Sequence, residues 1–340
     1  MFEKVMVMIA GRLVPVLIEN GSSARPPCFV VGLSSHYHDK FSARFRSFYQ
    51  LVLIDLYWTD SRFSAEYINK LEFEQLSEHI EQVREQLQDQ CGEEYRQIFV
   101  LGHSAYGFIS LDYGLRYPEK VIGVINIASP LIFDDKLATQ WQEEYIDSNF
   151  GSSKAGGPTP RRFAYYQKKA AFLEEKPAQT KHYFVKSYLS KGPLFFNNPV
   201  LWQNQQGEAE RMWEPWEISV VNKETKQVHL EKRDLHMPML FRYIALVTNK
   251  DCYSQLSKVS FPLLWVIALG DLRVSLYQLE DKRALGFSKK VEFFHPANAS
   301  HWPMLAKDTD PREFDDKAIH WGKKALVVCY QASLAPSAKL

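Results

Sequence analysis

Apolar positions along the first 130 residues follow two alternating rhythms. Val5, Val7 and Ile9 recur at every second position and Leu13 to Ile18 is again apolar, which predicts a pair of N-terminal strands. Cys28–Val31 is a short apolar run closed by Gly32, and Leu51–Leu56 reads as a buried strand. The rhythm then changes. Leu76, Ile80, Val83 and Leu87 recur at steps of three and four, which places them on one face of a helix over Phe73–Gln90. A strand at Ile98–Leu101, a helix over Tyr106–Tyr117 and a strand at Val121–Ala128 follow. Strands and helices in alternation imply right-handed crossovers and a mostly parallel sheet with helices on both faces.

The alternation stops after Pro130. The next stretch carries helix-like pieces, a Gly/Pro-rich segment at Gly151–Pro160 and many aromatics, Trp141, Phe163, Trp202, Trp213 and Trp216 among them. Strand patterns resume at Phe261–Leu269 and Val291–Phe294, before a terminal helix around Pro311–Val328. The late strands need the early ones to complete a sheet. The expected organisation is therefore an α/β core from residues 1–130 and 259–340, interrupted by a helical cap over 131–258.

Composition narrows the function classes. The chain has 340 residues, of which 46% are hydrophobic and 24% charged, and its formal net charge is +1. That balance gives no electrostatic reason to expect nucleic acid or an anionic membrane as partner. No apolar run approaches the ~20 residues needed to span a bilayer. The N-terminal apolar stretch is short, is interrupted by Arg12 and lacks a small-residue cleavage site, so it does not read as a signal peptide. Cys28, Cys91, Cys252 and Cys329 are scattered without paired spacing, which suits a cytoplasmic setting.

Candidate chemistry is concentrated at Ile98-Phe-Val-Leu-Gly-His-Ser-Ala-Tyr-Gly107. A strand runs into Gly102-His103-Ser104 and a helix begins at once. Such a turn exposes the serine hydroxyl above the sheet, and the helix start turns its free N–H groups toward a bound acyl oxygen. The Ala105 N–H is then a natural oxyanion donor.

With these residues the chain resembles the α/β-hydrolase superfamily. The resemblance rests on Gly102-His103-Ser104, on the helix ending at Arg116-Tyr-Pro-Glu-Lys120, and on two later loops. Gly270-Asp271-x-x-Val274 is similar to the family's acid loop, and Ser300-His301-Trp302-Pro303 to its histidine loop. The resemblance implies Ser104 as nucleophile, His301 as general base and Asp271 as the acid that orients it. It also implies Leu33, after Gly32, as the second oxyanion donor, and neither cofactor nor metal. One position departs from the pattern: the glycine usual two residues after the nucleophile is Tyr106, and Gly107 comes one residue late. Asp55-Leu-Tyr-Trp-Thr-Asp-Ser61 matches an Asp-rich loop of the family without its glycines.

Each residue also has a plainer reading. Ser104 could be a helix N-cap, and Asp134 or Asp135 is a rival for the acid. His36 and His38, on one face if 36–38 is a strand, lack a third ligand at metal-site spacing. Trp213-Glu-Pro-Trp216-Glu217 is similar to a cap segment of proline iminopeptidases, in which the glutamate holds a substrate ammonium. The sequence thus points to a serine hydrolase cleaving an ester or amide of a small molecule or short peptide. An aminopeptidase is the alternative, a non-catalytic binding or receptor-like protein is the reading of another class, and a lyase or haloperoxidase-like use of the same residues is a third.

Overall fold

A computed structural model of the chain describes residues 1–20, 24–55, 63–132, 167–171, 192–195, 216–222, 227–233, 236–248, 250–271, 273–274, 286–305 and 310–334, with the single positions 174 and 225. Among the described residues, ten strands form one sheet in the order β10-β9-β6-β5-β3-β4-β2-β1-β7-β8. They are β1 (Phe2–Ile9), β2 (Arg12–Glu19), β3 (Pro27–Val31), β4 (Gln50–Ile54), β5 (Ile98–His103), β6 (Val121–Ile127), β7 (Trp216–Asn222), β8 (Val228–Arg233), β9 (Leu263–Val266) and β10 (Val291–Phe294). Only β2 and β8 run against the others. The mostly parallel sheet is as expected.

The period-two alternation of a strand divides its side chains between two cores. Phe29 and Val31 of β3 face the layer holding α4 (Phe73–Cys91), α5 (Gly107–Arg116) and the helix Met237–Val247. Cys28 and Val30 face the layer of α2 (Ala43–Phe48) and the C-terminal helix Arg312–Leu334. On α4 the predicted stripe of Leu76, Ile80, Val83 and Leu87 is fully buried. Glu81 and Arg84 are buried on the same helix, where they pair at 2.6 Å, and the Tyr113 hydroxyl donates to Glu81 at 2.6 Å. No described helix is long and apolar enough to cross a membrane.

Two shorter helices, α1 (Ser34–Tyr37) and α3 (Ala65–Asn69), complete the first half. The segment 131–258 is not helical throughout. Its hairpin β7–β8 extends the core sheet, with β7 parallel to β1 through the pair Phe2↔Val220. The β-branched Ile218, Val220 and Val221 suit a strand, and β1 offers an open edge. Asp134, Asp135 and most of the aromatic residues of this segment lie outside the described residues.

Candidate active site

Eight of the ten described strands point their C-terminal ends to one edge of the sheet, and five candidate residues follow such ends. Leu33 follows β3, Asp55 follows β4, Ser104 follows β5, Asp271 follows β9 and His301 follows β10. Ligands of open α/β sheets bind at this edge.

At the end of β5 the backbone of Ser104 is left-handed, with φ of 54°. An N-cap serine would be extended. A left-handed serine costs on the order of 1–3 kcal/mol and persists only where its surroundings impose it. Those surroundings are two glycines. A Cβ on Gly102 would lie 2.6 Å from the Tyr106 carbonyl oxygen, and one on Gly107 would lie 1.9 Å from Ser129 Oγ on the neighbouring chain segment after β6. Close packing of helix on sheet therefore depends on Gly107, not on position 106, which explains how the motif tolerates Tyr106. Ser104 and Ala105 are partly exposed.

Tyr106 makes room for itself elsewhere. Its ring lies on Gly32, whose φ of 134° suits only glycine, and a Cβ there would lie 2.9 Å from both Tyr106 and Tyr37. The ring also stacks on Tyr243 of the helix Met237–Val247, with centroids 5.6 Å apart. Tyr243 in turn donates its hydroxyl to the Ala105 carbonyl at 2.5 Å. Burial raises the pKa of all three tyrosines, which keeps them as neutral hydroxyls. The loop bearing Leu33 is tied from below as well. Ser34 donates its hydroxyl to Asp55 at 2.7 Å and its backbone N–H to the other oxygen of the same carboxylate.

The acid and the histidine meet directly. His301 Nδ1 lies 3.0 Å from Asp271 Oδ2, and both residues are buried. A carboxylate only accepts, so Nδ1 carries the proton and Nε2 is left with a lone pair. The second oxygen of Asp271 accepts the backbone N–H groups of Arg273 and Val274, each at 2.9 Å, which fixes the carboxylate plane.

His301 packs against His103, the residue before Ser104. The two imidazole centroids are 4.9 Å apart, and His103 Nε2 donates to the His301 carbonyl at 2.9 Å. That leaves His103 Nδ1 to accept from the Tyr37 hydroxyl at 3.3 Å. Trp302 packs on His103 at 4.1 Å. No hydrogen bond joins Ser104 to His301 among the described residues, and catalytic hydrogen bonds commonly tighten only once substrate is bound. Phe195, from the helix Gly192–Phe195, lies tilted against His301 with ring centroids 5.0 Å apart, and its carbonyl accepts the His301 backbone N–H at 3.2 Å.

Two motifs that the sequence left open take these places in the fold. Ser34–Tyr37 is a helix with His38 at its C-cap, so His36 and His38 do not share a strand face as a metal pair would. The peptide favours helix because Ser34 is already fixed by Asp55. Glu217 lies at the start of β7, at the N-terminal edge of the sheet and five strand spacings from β5, about 24 Å at ~4.8 Å each. Trp213 and Pro215 of that motif lie outside the described residues. Sequence reasoning missed Tyr37, Tyr243 and Phe195, whose roles depend on contacts between distant segments. His103 stands inside the Gly102-His103-Ser104 motif, with nothing local to mark its partners.

A family model described as the alpha/beta hydrolase fold matches residues 21–308. No curated protein matches the chain at a significant level. Among similar solved structures is the proline iminopeptidase of Mycobacterium smegmatis, at 13% identity and TM-score 0.59, covering 96% of this chain and 99% of that one. An esterase from Exiguobacterium antarcticum is similar at 14% identity and TM-score 0.58, covering 94% and 98% of the two chains. An alpha/beta fold family hydrolase from Bacillus anthracis str. Sterne is similar at 14% and 0.54, covering 95% and 99%. Identities this low speak for the fold alone.

Proposed function

The chain belongs to the α/β-hydrolase-fold family, and from that membership we propose that it is a serine hydrolase acting on an ester of a small molecule. The observation that carries the reading is the left-handed Ser104 at the end of β5, together with a buried Asp271–His301 pair that packs on His103, the residue before the serine. A structural N-cap would need neither.

In this reading Ser104 Oγ bonds to the substrate carbonyl carbon while its proton passes to His301 Nε2. The carbonyl electron pair becomes an oxyanion facing the N–H groups of Leu33 and Ala105. Collapse of the intermediate breaks the bond to the leaving alcohol, which takes the proton from His301. Water then repeats the sequence: its proton goes to His301, its oxygen to the acyl carbon, and Ser104 leaves with the proton restored. Asp271 keeps Nδ1 protonated and stabilises the imidazolium that forms in each half. The steps use no cofactor or metal.

The start of β7, where Glu217 stands, is at the opposite edge of the sheet from the end of β5, and this backbone placement favours an ester over an aminopeptidase substrate. The partly exposed Ser104 favours catalysis over a binding module, since Tyr106 packs on Gly32 and Tyr243 and leaves the serine open. The proposal includes a cytoplasmic setting, which four cysteines scattered along the chain without paired spacing suit.

A panel of acyl esters and aminoacyl amides, run on wild type and Ser104→Ala, tests the reading. Turnover of esters with a loss on the order of 10⁴-fold or more in Ser104→Ala is expected. Equal turnover by both proteins, or none by a folded wild type, would overturn it.

A further inference from the structure

The two oxyanion donors of the proposed hydrolase come from different loops. Leu33 follows β3 and Ala105 follows β5, and a hole built from two loops stabilises charge only if their spacing is held during reaction. Tyr106 is the side chain that touches both. It follows Ala105 directly, and its ring covers Gly32, the residue before Leu33, at a distance that a single added methyl group would close to 2.9 Å. Tyr37 supports Gly32 with a second ring contact. Behind Tyr106 stands Tyr243, stacked at 15° between ring planes, with its hydroxyl on the Ala105 carbonyl.

We propose that Tyr106 is a positioning residue that ties the Leu33 and Ala105 donors to each other, with Tyr243 of the insertion as its support. The tyrosine at a position where the family has glycine is then a working part of the site. The contact with Gly32 is made by the ring, so the ring rather than the hydroxyl carries the effect. The support of Tyr243 is made partly by its hydroxyl. The segment 131–258 therefore contributes to the oxyanion hole itself and does more than cover it. This inference rests on the serine-hydrolase reading for its kinetic consequence, though not for its structural one.

The test uses full-length wild type, Tyr106→Ala, Tyr106→Phe and Tyr243→Phe, each checked for folding by thermal melting. With an ester that wild type hydrolyses, Tyr106→Ala should lower kcat by on the order of 10²-fold, the loss seen when one oxyanion donor is removed. KM should stay within about threefold, because the hole acts on the transition state. Tyr106→Phe should restore most of that loss. Tyr243→Phe should cost about fivefold, the rate equivalent of one hydrogen bond.

Amide hydrogen exchange of the same proteins reads the clamp without turnover. Faster exchange in segments 31–34 and 104–107 together is expected in Tyr106→Ala, with Tyr106→Phe near wild type. Exchange rising in only one of the two segments, or kcat unchanged in a folded Tyr106→Ala, would overturn the proposal. An inactive wild type whose two segments still loosen together would overturn the hydrolase reading and leave the clamp standing. If Tyr106→Ala fails to fold, Tyr243→Phe decides: a loss confined to kcat supports the clamp, and no loss overturns it.

Discussion

The two halves of the candidate site reach the same edge of the sheet by different means. The acid–histidine half follows the family pattern residue for residue, and its carboxylate is fixed locally by two backbone donors in the next turn, with the imidazole at 3.0 Å. The nucleophile half breaks the pattern at Tyr106 yet keeps the strained serine, with φ of 54°. It does so through contacts spread over the chain, from Gly32 and Tyr37 to Tyr243. The difference teaches that a motif position is a requirement on space. Gly107 meets the requirement for close packing, and the space that Tyr106 takes is found over Gly32.

The largest effect should come from the half that matches. Asp271→Asn should lower kcat by about 10⁴-fold with the fold intact, because an amide would favour the wrong imidazole tautomer. A loss below about tenfold in esterase assays would pass the role of acid to Asp134 or Asp135.

Any loss of activity in acid must first be separated from loss of the fold, and His79 supplies the control. Burial pushes the His79 imidazole from 6.5 down to about 4. The neutral form is the one that folds, so its stability is complete above pH 6.5. It drains away as pH falls toward 4, where the unfolded chain takes the proton and the folded one does not. Denaturant titrations at pH 7 and pH 4 should show wild type losing on the order of 2–3 kcal/mol that His79→Gln keeps. Parallel losses in the two proteins would refute the assignment.

Gly107→Ala sharpens the contrast at the elbow. A Cβ there meets Ser129 Oγ at 1.9 Å and Ser129 Cβ at 2.5 Å, so the helix must shift. Melting curves should register a cost of about 1–3 kcal/mol, partly relieved by adding Ser129→Gly. If Gly107→Ala is neutral, the account of how the elbow tolerates Tyr106 fails. The smallest effect is expected at Glu217. Glu217→Gln should leave the ratio of kcat/KM for free-amine and N-blocked substrates within about twofold, whereas a large drop in that ratio would revive the aminopeptidase alternative.

Most of the sheet was legible in the sequence because buried parallel strands are continuous apolar runs. Cys28–Val31, Leu51–Leu56, Ile98–Leu101 and Val121–Ala128 each became a strand within a few residues of the expected ends. The helix stripe of α4 was equally plain. The hairpin β7–β8 was not, because its place depends on pairing with β1, some two hundred residues away in the chain. At the site, Asp271 and His301 could be read from loop motifs, since each sits just past its own strand. The clamp around Tyr106 could not. Nothing local to Tyr243 marks a hydroxyl that reaches Ala105, 138 positions away. Side chains that act across the fold become visible only when the fold is known.

One measurement bears most directly on the claim that Ser104 is an activated nucleophile. A fluorophosphonate probe phosphonylates a serine only where a base takes its proton, and peptide mass spectrometry locates the adduct. A single adduct on Ser104 is expected in wild type, none in Ser104→Ala, and labelling slowed by orders of magnitude in His301→Ala. Labelling that persists undiminished in His301→Ala, or a folded wild type that takes no label at Ser104, would contradict that claim.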